Sequence, residues 1–352
     1  YLFVVGWQEP NRGYLIEHSH RIAGWVVGGV VSILALGLLG TERKKFPRWF
    51  GWILLVALLG AYGQFHRELI EQRNPSIPVH VSTAPLAVMG VTLLGLLILA
   101  LAGSRGKGLR FLGIVALVAV MIQGLLGGFR VRLDALFGRE LAPVHGIFAQ
   151  IVFCLLVSLA ALTGRPVQAE LPEPSRRVLG RLSFALVGLL FVQLIWGAMV
   201  RHAPNALNQR LHLMTAFLAV ALAAWLLRAG FTMPGARARI AVTGWVLGLL
   251  ITLQVALGVE AWMGKFGEEA HAGKSAAAYL PEAAPVEKRQ AEIRTAHTLI
   301  GTGVLAAAVV FALRIRQKKV DAEFATRNTN ALWERMLAPE PAMELNASGK
   351  AP

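Results

Sequence analysis

Nine stretches of this chain are long and apolar enough to cross a bilayer as helices: roughly 20–40, 48–65, 80–102, 110–129, 144–163, 179–200, 211–228, 240–261 and 295–314. A hydrocarbon core is crossed by about 20 helical residues, and within it a backbone must satisfy its own polar groups. The spacing therefore predicts an all-α polytopic membrane protein. Only 16% of the residues are charged, against about 25% in soluble domains, too few to cover a water-facing surface. The net charge of +15 does not imply a nucleic-acid partner, because the basic residues sit in short runs between apolar segments, where they act as topology signals.

Those runs fix the orientation. Arg43, Lys44, Lys45 and Arg48 follow the first span, and Arg105, Lys107 and Arg110 follow the third. Arg165, Arg176, Arg177 and Arg181 follow the fifth, Arg228, Arg237 and Arg239 the seventh, and Arg314, Arg316, Lys318 and Lys319 the ninth. The acids among them are Glu42, Glu170 and Glu173, so the positive-inside rule puts these five segments in the cytoplasm. Residue 1 is then expected outside and the C-terminus inside, in a bacterial cytoplasmic membrane. The chain opens on Tyr1 with no signal-peptide pattern, and a preceding N-terminal piece is expected.

Pro166, Pro172 and Pro174 mark a linker between two halves. The expected units are an N-terminal bundle at 1–163 with a hairpin inserted at about 48–102, a cytoplasmic linker at 164–178, a C-terminal bundle at 179–319 and a tail at 320–352. The loop from Trp262 to Ile293 is too polar to span, and 332–337 reads as a short surface helix. Cys154 has no cysteine partner in the chain and reads as a small apolar filler.

A repeat emerges when the outward-running spans are aligned. Gln123-Gly-Leu-Leu-Gly-Gly-Phe-Arg130 leads to His145, Gln193-Leu-Ile-Trp-Gly-Ala-Met-Val-Arg201 leads to Arg210-Leu-His212, and Gln254-Val-Ala-Leu-Gly258 leads to Arg294-Thr-Ala-His297. Gly60-Ala-Tyr-Gly-Gln64 leading to His80 is a weaker copy, and Glu17-His18-Ser19-His20-Arg21 keeps only the second half of the unit. His20, His80, His145, His212 and His297 thus fall at the outer start of alternate spans. One such histidine alone reads as an interfacial or capped residue; their recurrence at one depth points to metal or haem ligation, since imidazoles on facing helices can hold an iron from both sides.

Arg21, Arg130, Arg132, Arg201, Arg210 and Arg294 lie near that level. They suit the carboxylates of a haem in two-pronged fashion, or else snorkel toward phosphate headgroups. Gly124, Gly127, Gly128, Gly197, Ala198 and Gly258 allow close approach of a cofactor or of a neighbouring helix. Gln123, Gln193 and Gln254 read equally as interhelical hydrogen-bonding residues. Glu17, three residues before His20, shares its helical face if the helix reaches that far; it reads as a proton-handling acid or as a charge complementing the helix dipole. Because all the recurring histidines lie on one side, two cofactors would sit side by side near the outer surface, which favours chemistry on a haem over electron conduction across the membrane.

Glu17-His-Ser-His20-Arg21, Gln123-Gly-Leu-Leu-Gly-Gly, His145-Gly-Ile-Phe-Ala-Gln150, Gly197-Ala-Met-Val-Arg201 and Arg294-Thr-Ala-His297 together resemble the haem A synthase family, from about residue 14 to 314. The resemblance implies two pseudo-twofold four-helix bundles and oxidation of the C8 methyl of haem O to the formyl of haem A. It implies His20 and His145 as ligands of the substrate haem, His212 and His297 as ligands of haem B, and Glu17 as a catalytic acid. The implied partners are haem O, membrane lipids and an unidentified electron donor, with haem O synthase and cytochrome oxidase assembly factors as candidate neighbours and no nucleic acid. The chain departs from the family in three ways. The family's first helix has no counterpart in it, two helices at about 48–102 stand where one is expected, making His80 an alternative partner for His20, and the outer-loop cysteine pair of some members is missing.

Overall fold

The computed structural model describes residues 12–42, 44–71, 82–102, 107–132, 141–164, 170–264 and 288–317. Nine helices of 18 or more residues among them are apolar enough to span a membrane. They are α1 (Arg12–Gly40), α2 (Lys45–Glu71), α3 (Thr83–Ala102), α4 (Lys107–Arg132), α5 (Leu141–Thr163), α6 (Glu173–His202), α7 (Ala206–Thr232), α8 (Ala236–Trp262) and α9 (Lys288–Arg316). The described residues contain no strand. Large apolar side chains such as Ile33, Phe217, Val242 and Trp245 face outward, each at least 70% exposed, as lipid-facing surfaces require. The chain is an integral membrane protein.

The second half is a closed ring: α6 packs on α7 and α9, and α8 packs on the same two. Its core is built from Leu179 and Leu186 of α6, Leu226 of α7, Ile240 and Leu247 of α8, and Phe311 and Ile315 of α9. The first half repeats part of that ring. α4 packs on α1 and α5 as α8 packs on α7 and α9, while the α2–α3 hairpin packs against the outer side of α1 and α4. Among the described helices, none stands against both α1 and α5 from the other side as α6 stands against α7 and α9. α5 and α9 meet where the halves join, through Cys154, Leu305 and Val309. Cys154 is buried and fills space, as expected of it.

Helix ends differ from the expected spans for local reasons. α6 starts at Glu173 rather than near 179, with Pro172 at its N-cap and Pro174 in its first turn, where a missing N–H leaves no bond unmade. α9 starts at Lys288 rather than 295, its first turns carrying charged residues such as Lys288, Arg289 and Glu292 that are good helix formers outside the bilayer. Gly235 turns α7 into α8 with a φ of 71°, and a Cβ there would meet Glu170 O and Pro172 Cδ at 3.0 Å. The surface helix expected at 332–337 lies outside the described residues.

The inner ends of the two halves are tied by buried arginines. Arg239 donates from Nε to Arg314 O at 2.6 Å and from its terminal nitrogen to Gln317 O, satisfying carbonyls that the end of α9 leaves open. Gln317 Nε2 donates in turn to Ala161 O at 3.2 Å. In the first half Arg110 pairs with Glu42 at 3.0 Å.

Candidate functional site

Each of three consecutive hairpins, α4–α5, α6–α7 and α8–α9, builds the same local arrangement at its outer end. A glutamine on the outgoing helix faces the histidine of the returning one: Gln123 Nε2 lies 3.4 Å from His145 Nε2, Gln193 Nε2 3.4 Å from His212 Nε2, and Gln254 Nε2 3.3 Å from His297 Nε2. Four residues after each glutamine comes a glycine on the same helical face. An added Cβ would meet His145 Cε1 at 3.2 Å from Gly127, His212 Cε1 at 3.2 Å from Gly197, and His297 Cε1 at 3.0 Å from Gly258. The glycine lets the ring lie on the neighbouring backbone and the glutamine faces its nitrogen. Gln123 Nε2 also donates to the His145 carbonyl at 3.1 Å.

The bundles then bring the rings together in pairs. His20 and His145 have centroids 6.3 Å apart and planes at 83°; His212 and His297 lie at 6.5 Å and 79°. His212 and His297 stand on α7 and α9, which sit diagonally across the closed ring, and His20 and His145 stand on α1 and α5, which flank α4 in the same way as α7 and α9 flank α8. Two metal–nitrogen bonds of roughly 2 Å and two ring radii of roughly 1 Å sum to about 6 Å, so either pair has the separation that one shared metal requires. The described residues contain no group of three or more His, Cys, Asp or Glu side chains that could hold a metal ion. Two nitrogens per site are too few for a closed zinc site, but they match the two axial positions of an iron whose other four ligands come from a macrocycle.

The surroundings of both pairs are less buried than the core. The tightly packed core stops two turns short of the site: the first fully buried apolar residue after His145 is Val152, after His212 it is Ala219, and after His297 it is Val304. Leu186 and Leu247 end the buried rows of α6 and α8, seven residues before Gln193 and Gln254. Four residues inward of each paired histidine stands Gly24, Ala149, Ala216 or Gly301, keeping the axial face small. His212 and His297 each bury Nδ1 without a hydrogen-bond partner, a cost that a ligand bond or a bound polar group removes. The residues present therefore fit a haem-like group at both pairs.

The pairs differ in enclosure. His212 and His297 are half-buried and each faces a glutamine, with Thr215 Oγ1 hydrogen-bonded to Gln193 Oε1. His145 is half-buried too, but His20 is exposed and makes no hydrogen bond to a described residue. α1 extends back to Arg12, which sets Glu17 one turn before His20 on the same face. Its side chain, like those of Arg130 and Arg132 at the end of α4, lies outside the described residues. Arg21, Arg201 and Arg210 are exposed, and Arg294, one turn before His297, buries its Nε without a partner. Arg289 of α9 bonds Glu260 of α8 at 2.6 Å across the mouth of the C-terminal site.

His80 lies outside the described residues, and within them the partner of His20 is His145. Gln64, the glutamine of the weaker copy, donates to Glu68 at 3.2 Å, and Glu68 accepts from the Ser82 amide at 3.1 Å. That pair joins α2 to the start of α3. The glutamine-to-glycine spacing and the small residue after each histidine were both readable in the sequence; their meaning was not, because only the packed hairpins show that the two sit against one ring.

No family model matches the chain, and no solved structure does. A potassium-transporting ATPase potassium-binding subunit from Gloeobacter violaceus is 27% identical over 152 residues, covering 38% of this chain. The chain spans 25% of the length of that relative.

Proposed function

We propose that this protein is a haem-binding membrane oxidoreductase of the haem A synthase type, converting the C8 methyl of haem O to a formyl group. The reading rests on two histidine pairs with ring centroids 6.3 Å and 6.5 Å apart, each formed near the outer ends of its helices. In it His212 and His297 hold a resident haem B, and His20 with His145 take the substrate. The assignment follows enclosure: a cofactor that stays needs a closed ring and ligands oriented from both sides, whereas a substrate that enters and leaves needs an open one. Bound haem B supplies one-electron redox chemistry.

The rest falls to the chain's own side chains. Gln193 and Gln254 hold the two rings in place, and the glycines opposite them let the rings lie on the neighbouring backbone. Arg294 and the exposed Arg201 and Arg210 meet propionates at the water-facing edge, with Arg21, Arg130 and Arg132 in the same role on the other side. Glu17 handles a proton beside the substrate ligand. The methyl carbon is oxidised by successive hydroxylations with dioxygen as the oxidant, each dioxygen reduced to the level of water with electrons from an outside donor. That donor acts at the non-cytoplasmic surface of a bacterial cytoplasmic membrane, with haem O synthase and oxidase assembly factors as neighbours.

The test is the porphyrin. Chain purified from cells that also make haem O should show b-type bands in a reduced-minus-oxidised spectrum and yield formyl-bearing haem on extraction. Bound haem without any formyl product makes the protein a non-catalytic haem-binding assembly subunit. A second reading, suggested by the potassium-transport relative, is a subunit of an ion-translocating complex. The described spans are continuous helices, without the broken segments that line many transport sites. A chain free of haem but able to bind potassium would favour that reading instead.

A further inference from the structure

The inserted α2–α3 hairpin has no part in either histidine pair, yet it builds a groove beside one of them. Leu93 and Leu97 of α3 form one wall, Val118, Ala119 and Ile122 of α4 the other, and Phe148 of α5 closes the outer end. The cavity holds about 210 Å³, and every residue lining it is apolar. On α4 the lining residues recur at helical spacing, forming a stripe that runs inward from the site. Phe148 lies one turn from His145, and Ile122 adjoins Gln123, whose amide faces the same histidine. The groove thus starts at the level of the first pair and leads away from it along α4. The second half has no equivalent, since α8 packs on α7 and α9 and no further described helix stands beside it as α3 stands beside α4.

We propose that this groove is the binding subsite for the long isoprenoid tail that distinguishes haem O from haem B. The inference rests on the substrate assignment of His20 and His145 and adds what selects that substrate. Both haems present the same iron and the same propionates, so ligands and arginines cannot tell them apart. A hydrocarbon tail is the difference, and a surface without hydrogen-bonding groups is what recognises it. A bilayer acyl chain has similar chemistry; what favours the tail is that Phe148 of the groove lies one turn from His145, in the half assigned to the substrate. The hairpin is then a specificity element, its α3 leucines completing a wall that α4 and α5 alone leave open.

The experiment uses the full chain in lipid nanodiscs, with haem B already at the second pair. Haem O and haem B are titrated separately, and occupancy of the first pair is followed by its Soret difference spectrum. Wild type should bind haem O at least about tenfold more tightly than haem B. Ala119→Phe, which fills the groove, should remove that preference while leaving haem B at the second pair. Ile122→Trp at the exposed mouth, a position that puts no load on the core, should reduce it in the same direction. Equal binding of the two haems by wild type, or an unchanged preference in both variants, overturns the groove assignment and leaves the enzyme reading standing. An acyl chain that co-purifies and is displaced by Ala119→Phe, with haem preference unaltered, assigns the groove to lipid and also overturns it. Failure of either haem to bind at any pair removes the functional reading itself.

Discussion

His212 and His297 sit inside a ring of four helices, each ring facing a glutamine, whereas His20 and His145 are joined across three helices and a hairpin, with a glutamine at one end only. The separations are nearly equal at 6.5 Å and 6.3 Å. The distance between paired histidines is therefore common to both halves, and what surrounds them is not. Helix packing sets the distance, because each pair spans the two helices that flank a third, α4 in one half and α8 in the other. Enclosure depends on which further helices pack around, and there the halves diverge. One geometry can thus serve a group that stays and a group that is exchanged.

The largest break in that comparison comes from the ligands. His212→Ala or His297→Ala should abolish b-type absorbance in the purified protein, while His20→Ala should leave most of it and remove only binding of added haem. Equal losses from all three would mean that the halves are not specialised. Next come the glycines that seat the rings. Gly258→Leu and Gly197→Leu push a side chain into an imidazole already in close contact, at a cost of about 1–3 kcal/mol, and should lower haem B content about tenfold. Gly127→Leu should spare that content and weaken haem O binding instead.

At the inner ends, Arg239→Met strips two carbonyls at the end of α9 of their donor and should destabilise the protein by about 2–3 kcal/mol, read as a lower thermal midpoint. Arg110→Met removes one ion pair of Glu42 and should cost less, because Glu42 also accepts from the Lys44 amide. Equal losses from the two would show that the Arg110–Glu42 pair matters to the first half as much as the Arg239 bonds do to the second. The smallest effect is expected from the glutamines. Gln254→Leu or Gln193→Leu should shift the reduction potential of the resident haem and weaken its binding by roughly tenfold, with Gln254→Asn recovering part of the loss. Gln123→Leu should change neither property of the resident haem.

Much of this was legible in the chain. The apolar runs gave the spans, and the recurrence of histidine every second span marked the outer level. Less legible were the helix starts, since the prolines at 172 and 174 look like breakers until they are found at an N-terminus. The role of the glutamines was also hidden: a polar residue in a span satisfies a hydrogen bond somewhere, and sequence spacing does not say with what. Gln64 makes the point, for it resembles the other three in its segment and bonds a glutamate on its own helix.

The sequence by itself determined that the chain lives in a membrane and how many times its described helices can cross, and it placed five histidines, His80 among them, at the outer starts of alternate spans. Those are consequences of local composition, which the bilayer reads segment by segment. The tertiary structure brought His20 to His145 and His212 to His297, the pairs that the resemblance implied, and it alone decided that one pair is enclosed and the other open, and that an apolar groove lies near the open one. Those depend on which helix packs diagonally to which, and side-chain packing between spans distant in sequence sets that order.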